Sequence, residues 1–178
     1  MKSFVCVSLL VVWLFSGACN RSNPTTSVQP SNTTPPVSSK TPGPLPDRGF
    51  RAQLALIDPP SKLRVGQKET INVKIKNTSD VFWWARGGEI NDRNDNKFYI
   101  AIGNRWLDPS GKLLSQMDGR LGLSRDLKPG EELELPLLIT APTAPGEYIL
   151  EVDLVQEQVS WFNEKGSPTA KSKVSVAR

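Results

Sequence analysis

The 178-residue chain contains no histidine. That absence removes His-based acid–base catalysis, the Ser-His-Asp triad and His-ligated metal sites. No Ser-x-x-Lys, Gly-x-Ser-x-Gly or Walker-type loop occurs either. Carboxylates remain, and glycosidases work with a pair of them. Glu131, Glu132, Glu134, Glu151 and Asp153 are the acids in strand-like or turn-like stretches. They occupy outward or turn positions, which reads as a solvated face, so no catalytic residue is assigned and no enzyme is expected. Asp92-Arg-Asn-Asp-Asn96 sets the oxygen ligands Asp92, Asn94 and Asn96 at alternate positions, like the opening of a calcium loop. Lys97 stands where that loop needs its glycine and Gly103 where it needs its bidentate acid. The competing reading is a plain polar loop, and neither a metal nor a cofactor is expected.

Aromatic side chains carry the better lead. Trp83, Trp84, Trp106 and Trp161 are the tryptophans beyond the leader and the candidate ligand-binding residues. Trp83-Trp84 and Trp161-Phe162 are adjacent pairs, and neighbours on a strand leave opposite faces. One ring of each pair should therefore leave the core unless a bulge intervenes. An uncovered ring is a platform for a sugar ring or a partner protein; a covering sheet or loop is the alternative. Arg86, Arg105 and Arg120 could stack on such rings or pair with acidic ligands, or simply be solvated.

Strands must position these residues. Tyr148, Leu150, Val152 and Leu154 alternate with Ile149, Glu151, Asp153 and Val155, a period of two with one apolar face. Ile71, Val73 and Ile75 alternate with Asn72, Lys74 and Lys76, and Leu133, Leu135, Leu137 and Ile139 line a further face. Pro136, on the other face of that strand, marks an edge or a bulge. Further strands are expected over 51–57, 81–85, 98–107, 112–117 and 170–176, separated by turns such as Asn77-Thr-Ser-Asp80, Asp108-Pro-Ser-Gly111 and Asn163-Glu-Lys-Gly166. About nine strands with no helical period describe an all-β sandwich. Tyr148, just after Pro145-Gly146, stands where a tyrosine corner would return its hydroxyl to the chain; a plain core tyrosine is the alternative.

The chain begins with a different pattern. After Lys2, residues 4–15 form an almost unbroken apolar run, followed by Ser16, Gly17, Ala18 and Cys19. The run is short for a membrane span and suits a secretory signal. Small residues before a cysteine resemble a bacterial lipobox, with Ser16 where such boxes usually carry Leu. The resemblance implies a lipoprotein signal peptide over 1–18, cleavage before Cys19 and acylation of its thiol and new amino group. An ordinary signal peptide cut after Ala18 is the alternative. Cys6 would be lost with the leader, so no internal disulfide is expected. Residues 19–48 are rich in Pro, Ser and Thr and poor in aliphatics, the composition of a disordered tether spanning ~30 Å as a coil to ~85 Å as polyproline II. Asn20, Asn32 and Asn77 each open an Asn-x-Ser/Thr triplet, meaningful only in a secreted eukaryotic chain.

Three segments of the remaining domain, residues 49–178, carry a family likeness. They are Val73-Lys-Ile-Lys-Asn-Thr-Ser-Asp-Val-Phe-Trp-Trp84, Leu127-Lys-Pro-Gly-Glu-Glu-Leu-Glu-Leu135, and Pro145-Gly-Glu-Tyr148 running on through Leu154-Val-Gln-Glu157 to Val159-Ser-Trp-Phe162. Together they resemble the Ig-like four-tryptophan domain of autophagy cargo receptors, in its bacterial form. The resemblance implies an Ig-like antiparallel sandwich with a non-catalytic, interaction-type role. The net charge of +4 is scattered among acids, so no nucleic-acid stripe is present. The expectation is a cell-envelope protein, lipid-anchored and facing outward from the cytoplasm, on the outer membrane if the cell is Gram-negative. It would engage a partner protein; a carbohydrate-binding module for envelope or surface polysaccharide is the alternative.

Overall fold

The computed structural model describes residues 42–88, 94–115 and 119–178. The leader, Cys19 and the tether up to residue 41 lie outside the described residues, as does Asp92. Ten strands are present in what is described: β1 (Ala52–Ile57), β2 (Lys62–Arg64), β3 (Lys68–Asn77), β4 (Ile100–Leu107), β5 (Leu113–Ser115), β6 (Arg120–Gly122), β7 (Glu132–Thr140), β8 (Gly146–Gln156), β9 (Ser160–Trp161) and β10 (Ala170–Ala177). They form two sheets, one ordered β1-β3-β7 and the other β2-β10-β8-β4-β5, with β6 on β4 and β9 on β8. All pairs are antiparallel except β2 with β10.

This order makes the domain an Ig-like sandwich. In the lettering of immunoglobulin strands, β1, β3 and β7 take the places of A, B and E, while β4, β8 and β10 take C, F and G. Tyr148 then starts the F strand straight after the E–F connection, and its hydroxyl donates to the Ala144 carbonyl at 2.9 Å, as a tyrosine corner does.

Alternation built the interior as the sequence implies. Ile71, Val73 and Ile75 of β3, Leu135, Leu137 and Ile139 of β7, and Leu150, Val152 and Leu154 of β8 all face one core. Pro136 lies on β7, an edge strand, where a missing N–H is tolerated. Near one end, Phe50, Phe162 and Trp83 interlock edge-to-face, with centroids 5.0 and 5.2 Å apart. Both core indoles are satisfied: Trp83 Nε1 donates to the Gly49 carbonyl at 2.9 Å and Trp106 Nε1 to that of Thr140 at 2.8 Å.

Three expectations change. The stretch 81–85 is no strand: only Trp83 bridges, to Leu127. Side chains replace the ladder on either side, since Asn77 Nδ2 donates to the Val81 carbonyl and the Ala85 N–H donates to Asp126 Oδ1. Phe98 is not on a strand face either, because its φ of +71° breaks the extended run before Ile100. The packed unit also starts before Gly49. Leu45 packs against the core, and its N–H donates to Gln156 Oε1 at 2.9 Å. Gln156 Nε2 donates in turn to the Gly43 carbonyl. Gly43 and Leu45 therefore lie at the end of the sandwich where β8 finishes, called here the tether end.

Candidate functional site

The structure divides the four candidate tryptophans. Trp83 and Trp106 are 0% and 1% exposed. They are core residues, sealed by the two sheets, and cannot meet a ligand. Trp84 and Trp161 are half-buried, each on the opposite side of its strand-like segment from a buried neighbour, Trp83 or Phe162.

Trp84 belongs to the tether end. Here the β3–β4 connection meets the β8–β10 connection: the Phe98 N–H donates to the Glu157 carbonyl at 3.1 Å, and the Glu157 N–H to that of Tyr99 at 2.9 Å. Gln156, fully buried, ties the same place together, since its Nε2 also reaches the Phe98 carbonyl at 2.9 Å. Phe82, Trp84, Phe98 and Tyr99 are all half-buried here. Phe82 and Trp84 stack edge-to-face with centroids 4.7 Å apart. Lys97 Nζ sits 4.8 Å from the Phe98 centroid, and Arg86 pairs with Asp95 at 2.6 Å. A bulky aromatic at positive φ is unusual and is held only by its surroundings. Phe98 is such a residue, fixed by the two hydrogen bonds on its own peptide groups.

Trp161 lies on the outer face of the larger sheet. Its ring rests on Gly103 of β4, where any Cβ would come within 2.9 Å of the ring. Arg105 and Arg120 stack on it with Cζ 4.9 and 5.0 Å from the centroid. Both arginines are also paired. Arg120 makes a two-pronged contact with Glu157 at 2.8 and 2.9 Å. Arg105 Nη2 donates to Asp153 Oδ2 at 3.2 Å, and its Nε lies 3.1 Å from Glu151 Oε2 with the N–H aimed elsewhere, a Coulombic contact rather than a hydrogen bond. Trp161 is thus clamped in place, not an open platform.

The solvated-face reading of Glu151 and Asp153 fails. They point away from the core as alternation demands, yet Asp153 is 0% and Glu151 7% exposed. Arg105 and the turn after β9 cover them. Asp153 Oδ1 accepts from the Leu154 N–H at 2.8 Å and Oδ2 from the Asn163 N–H at 3.2 Å. Glu151 Oε1 accepts from the Thr169 hydroxyl at 2.9 Å and faces Lys171 Nζ at 3.2 Å. Burial pushes the Asp153 carboxyl up to about 6, against the two N–H groups and Arg105 and with help from Glu151. A carboxyl poised near neutrality is what a general acid needs. Here, however, every oxygen of the pair already has a protein partner, so the arrangement pins the β8–β10 connection instead of offering a reacting position. Glu131, Glu132 and Glu134 do lie on exposed or half-exposed turn and strand positions.

Of the calcium candidates, Asn94 falls in a 3-10 turn and Asn96 is buried, its carbonyl accepting from the Tyr99 N–H. Asn77 is closed to modification: it is 0% exposed, and its amide donates to the carbonyls of Val81 and Leu127. Sequence reasoning missed Gln156 and Gly103, whose roles depend on strands far apart in the chain. Phe82 had a signal, since it sits two residues before Trp84.

No family model and no curated protein matches the sequence. Among solved structures, a CARDB domain from Pyrococcus furiosus is similar at 19% identity and TM-score 0.40, over 71% of this chain and 90% of that one. The sporulation control protein Spo0M from Bacillus subtilis is similar at 13% identity and TM-score 0.38, over 72% of this chain and 49% of that one. A β-glucosidase from Listeria innocua matches at 17% identity and TM-score 0.41, over 72% of this chain but 16% of the enzyme. Likeness at this level carries no functional argument; the fold rests on the strand order itself.

Proposed function

We propose that the chain is a lipid-anchored envelope protein whose Ig-like domain is a non-catalytic interaction module. It engages a partner protein through the tether end. The observation that carries this reading is the set of half-buried aromatic side chains Phe82, Trp84, Phe98 and Tyr99, all on the β3–β4 connection, which Gln156 braces at the Phe98 carbonyl. Half-buried aromatic side chains on braced loops supply large contact area at low entropic cost. Anchoring rests on Cys19 and the apolar leader, as the sequence presents them.

The test is affinity for a crosslinked and identified envelope partner, compared between the intact protein and Trp84→Ala and Trp161→Ala forms. The reading expects Trp84→Ala to weaken binding at least tenfold and Trp161→Ala to leave it within twofold. The reverse order would move the site to the larger sheet. A blue shift of tryptophan fluorescence on adding an envelope glycan, abolished in Trp84→Ala, would give the same surface to a polysaccharide. Loss of labelled palmitate in Cys19→Ser tests the anchor.

A further inference from the structure

The outer face of the larger sheet changes character along its length. Near Trp161 its acids and bases are paired with one another: Arg105, Lys171, Glu151 and Asp153, and Arg120 with Glu157. Toward the opposite end, strand register sets Lys173 of β10, Ile149 of β8, Leu107 of β4 and Leu113 of β5 in one cross-strand row. Leu113 is 55% exposed on the edge strand, and Leu107 beneath is nearly covered. Beside this row lies a shallow cavity of about 220 Å³ lined by Pro109, Glu147, Tyr148, Ile149 and Lys173. Glu147 and Lys173 are exposed, and among the described residues neither makes an ion pair. The apolar row thus has one unmatched acid and one unmatched base beside it.

We propose that this apolar row, flanked by Glu147 and Lys173, is the contact surface for a second copy of the chain. A two-fold contact is isologous: if residue i meets j, then j meets i. A patch with an acid and a base beside an apolar centre is complementary to itself in that sense. A two-fold axis between the copies sets each Glu147 against the other copy's Lys173 and shuts Ile149 and Leu113 from water. The free edge of β5 and the cavity beside Pro109 accept the partner's projecting side chains. The surface lies at the opposite end of β8 from Gln156, which holds Gly43 and Leu45. Its small extent implies a weak dimer, well below the ~800 Å² per partner of a standard interface. Confinement on a bilayer raises the effective concentration that such a contact needs. The contact is independent of whatever the tether end binds.

Charge reversal tests it. The full chain, in detergent, is examined by sedimentation velocity over a range of concentrations. The wild type should show a concentration-dependent dimer. Lys173→Glu alone and Glu147→Lys alone should each weaken it at least tenfold, because each places like charges in contact twice. An equimolar mixture of the two should restore it, since every contact is then between opposite charges. Leu113→Asp, at an exposed position that tolerates polarity, should also abolish it. Monomer at every concentration overturns the proposal. So does association that survives both reversals, which is the signature of clustering through the acyl chains, or a mixture no tighter than its components.

Discussion

The Asp153 contribution to the domain's stability should fall as pH rises from mildly acidic to neutral. Its carboxyl is pushed from an ordinary 3.8 to about 6, with burial the largest cause. The folded state therefore holds a proton more tightly than the unfolded chain. Below about pH 4 both states are protonated and the group costs nothing. Between about 4 and 6 the unfolded chain gives up its proton first, so unfolding becomes easier; above about 6 the whole cost is present. At about 1.4 kcal/mol for each pH unit between the two values, the cost approaches 3 kcal/mol. Urea unfolding of the wild type and Asp153→Asn at intervals from pH 4 to 7.5 isolates it. Carboxylates held below their usual range oppose the trend, such as Asp108 by the Ser110 hydroxyl and Glu131 by the Lys128 N–H. They are common to both proteins and cancel in the difference. Wild-type stability minus variant stability should fall by about 3 kcal/mol across that range. A flat difference, or one that rises with pH, would refute the reasoning, because Asp153 would then be stabilised as an anion by Arg105 and the two N–H groups.

Other consequences are sharper in position than in size. Gly119→Ala places a Cβ 2.2 Å from the Leu138 carbonyl oxygen and 2.6 Å from Asn104 Oδ1, and should cost about 3 kcal/mol in chemical unfolding. Gln156→Leu strands the Gly43 and Phe98 carbonyls and the Leu45 N–H. It should lower stability by at least ~2 kcal/mol and raise hydrogen exchange at Leu45. Gly103→Val drives the Trp161 ring off β4, and should red-shift tryptophan emission while circular dichroism stays that of a β-protein. Tyr148→Phe loses the bond to Ala144, a change of about 1 kcal/mol with no shift in fold.

The sheets were legible because a buried face writes itself as every second residue. Ile71-Val73-Ile75 and Leu133-Leu135-Leu137-Ile139 needed nothing but alternation. The strands β2, β6 and β9, two or three residues each, are too short to show a period, and their pairing is decided by neighbours distant in the chain. Adjacency rightly separated Trp83 from Trp84 and Trp161 from Phe162, but it cannot say what lies over an outward ring. Arg105 and Arg120 reach Trp161 from β4 and β6, and only the register that sets Gly103 opposite Arg120 and beside Asp153 brings them together. The burial of Glu151 and Asp153 was hidden for the same reason. A polar residue on the outer face of a strand looks solvated until the connection that folds over it is known. Leu45 hid in a proline-rich stretch whose composition speaks only of disorder, while its partner, Gln156, lies 111 residues away.

The most direct test of the proposed partner surface is photo-crosslinking in intact cells, with a benzophenone side chain at position 84 or at position 53, Gln53 being exposed on the smaller sheet. One discrete protein adduct is expected from position 84 and none from position 53. Equal labelling from both positions, or adducts from position 53 alone, would contradict it.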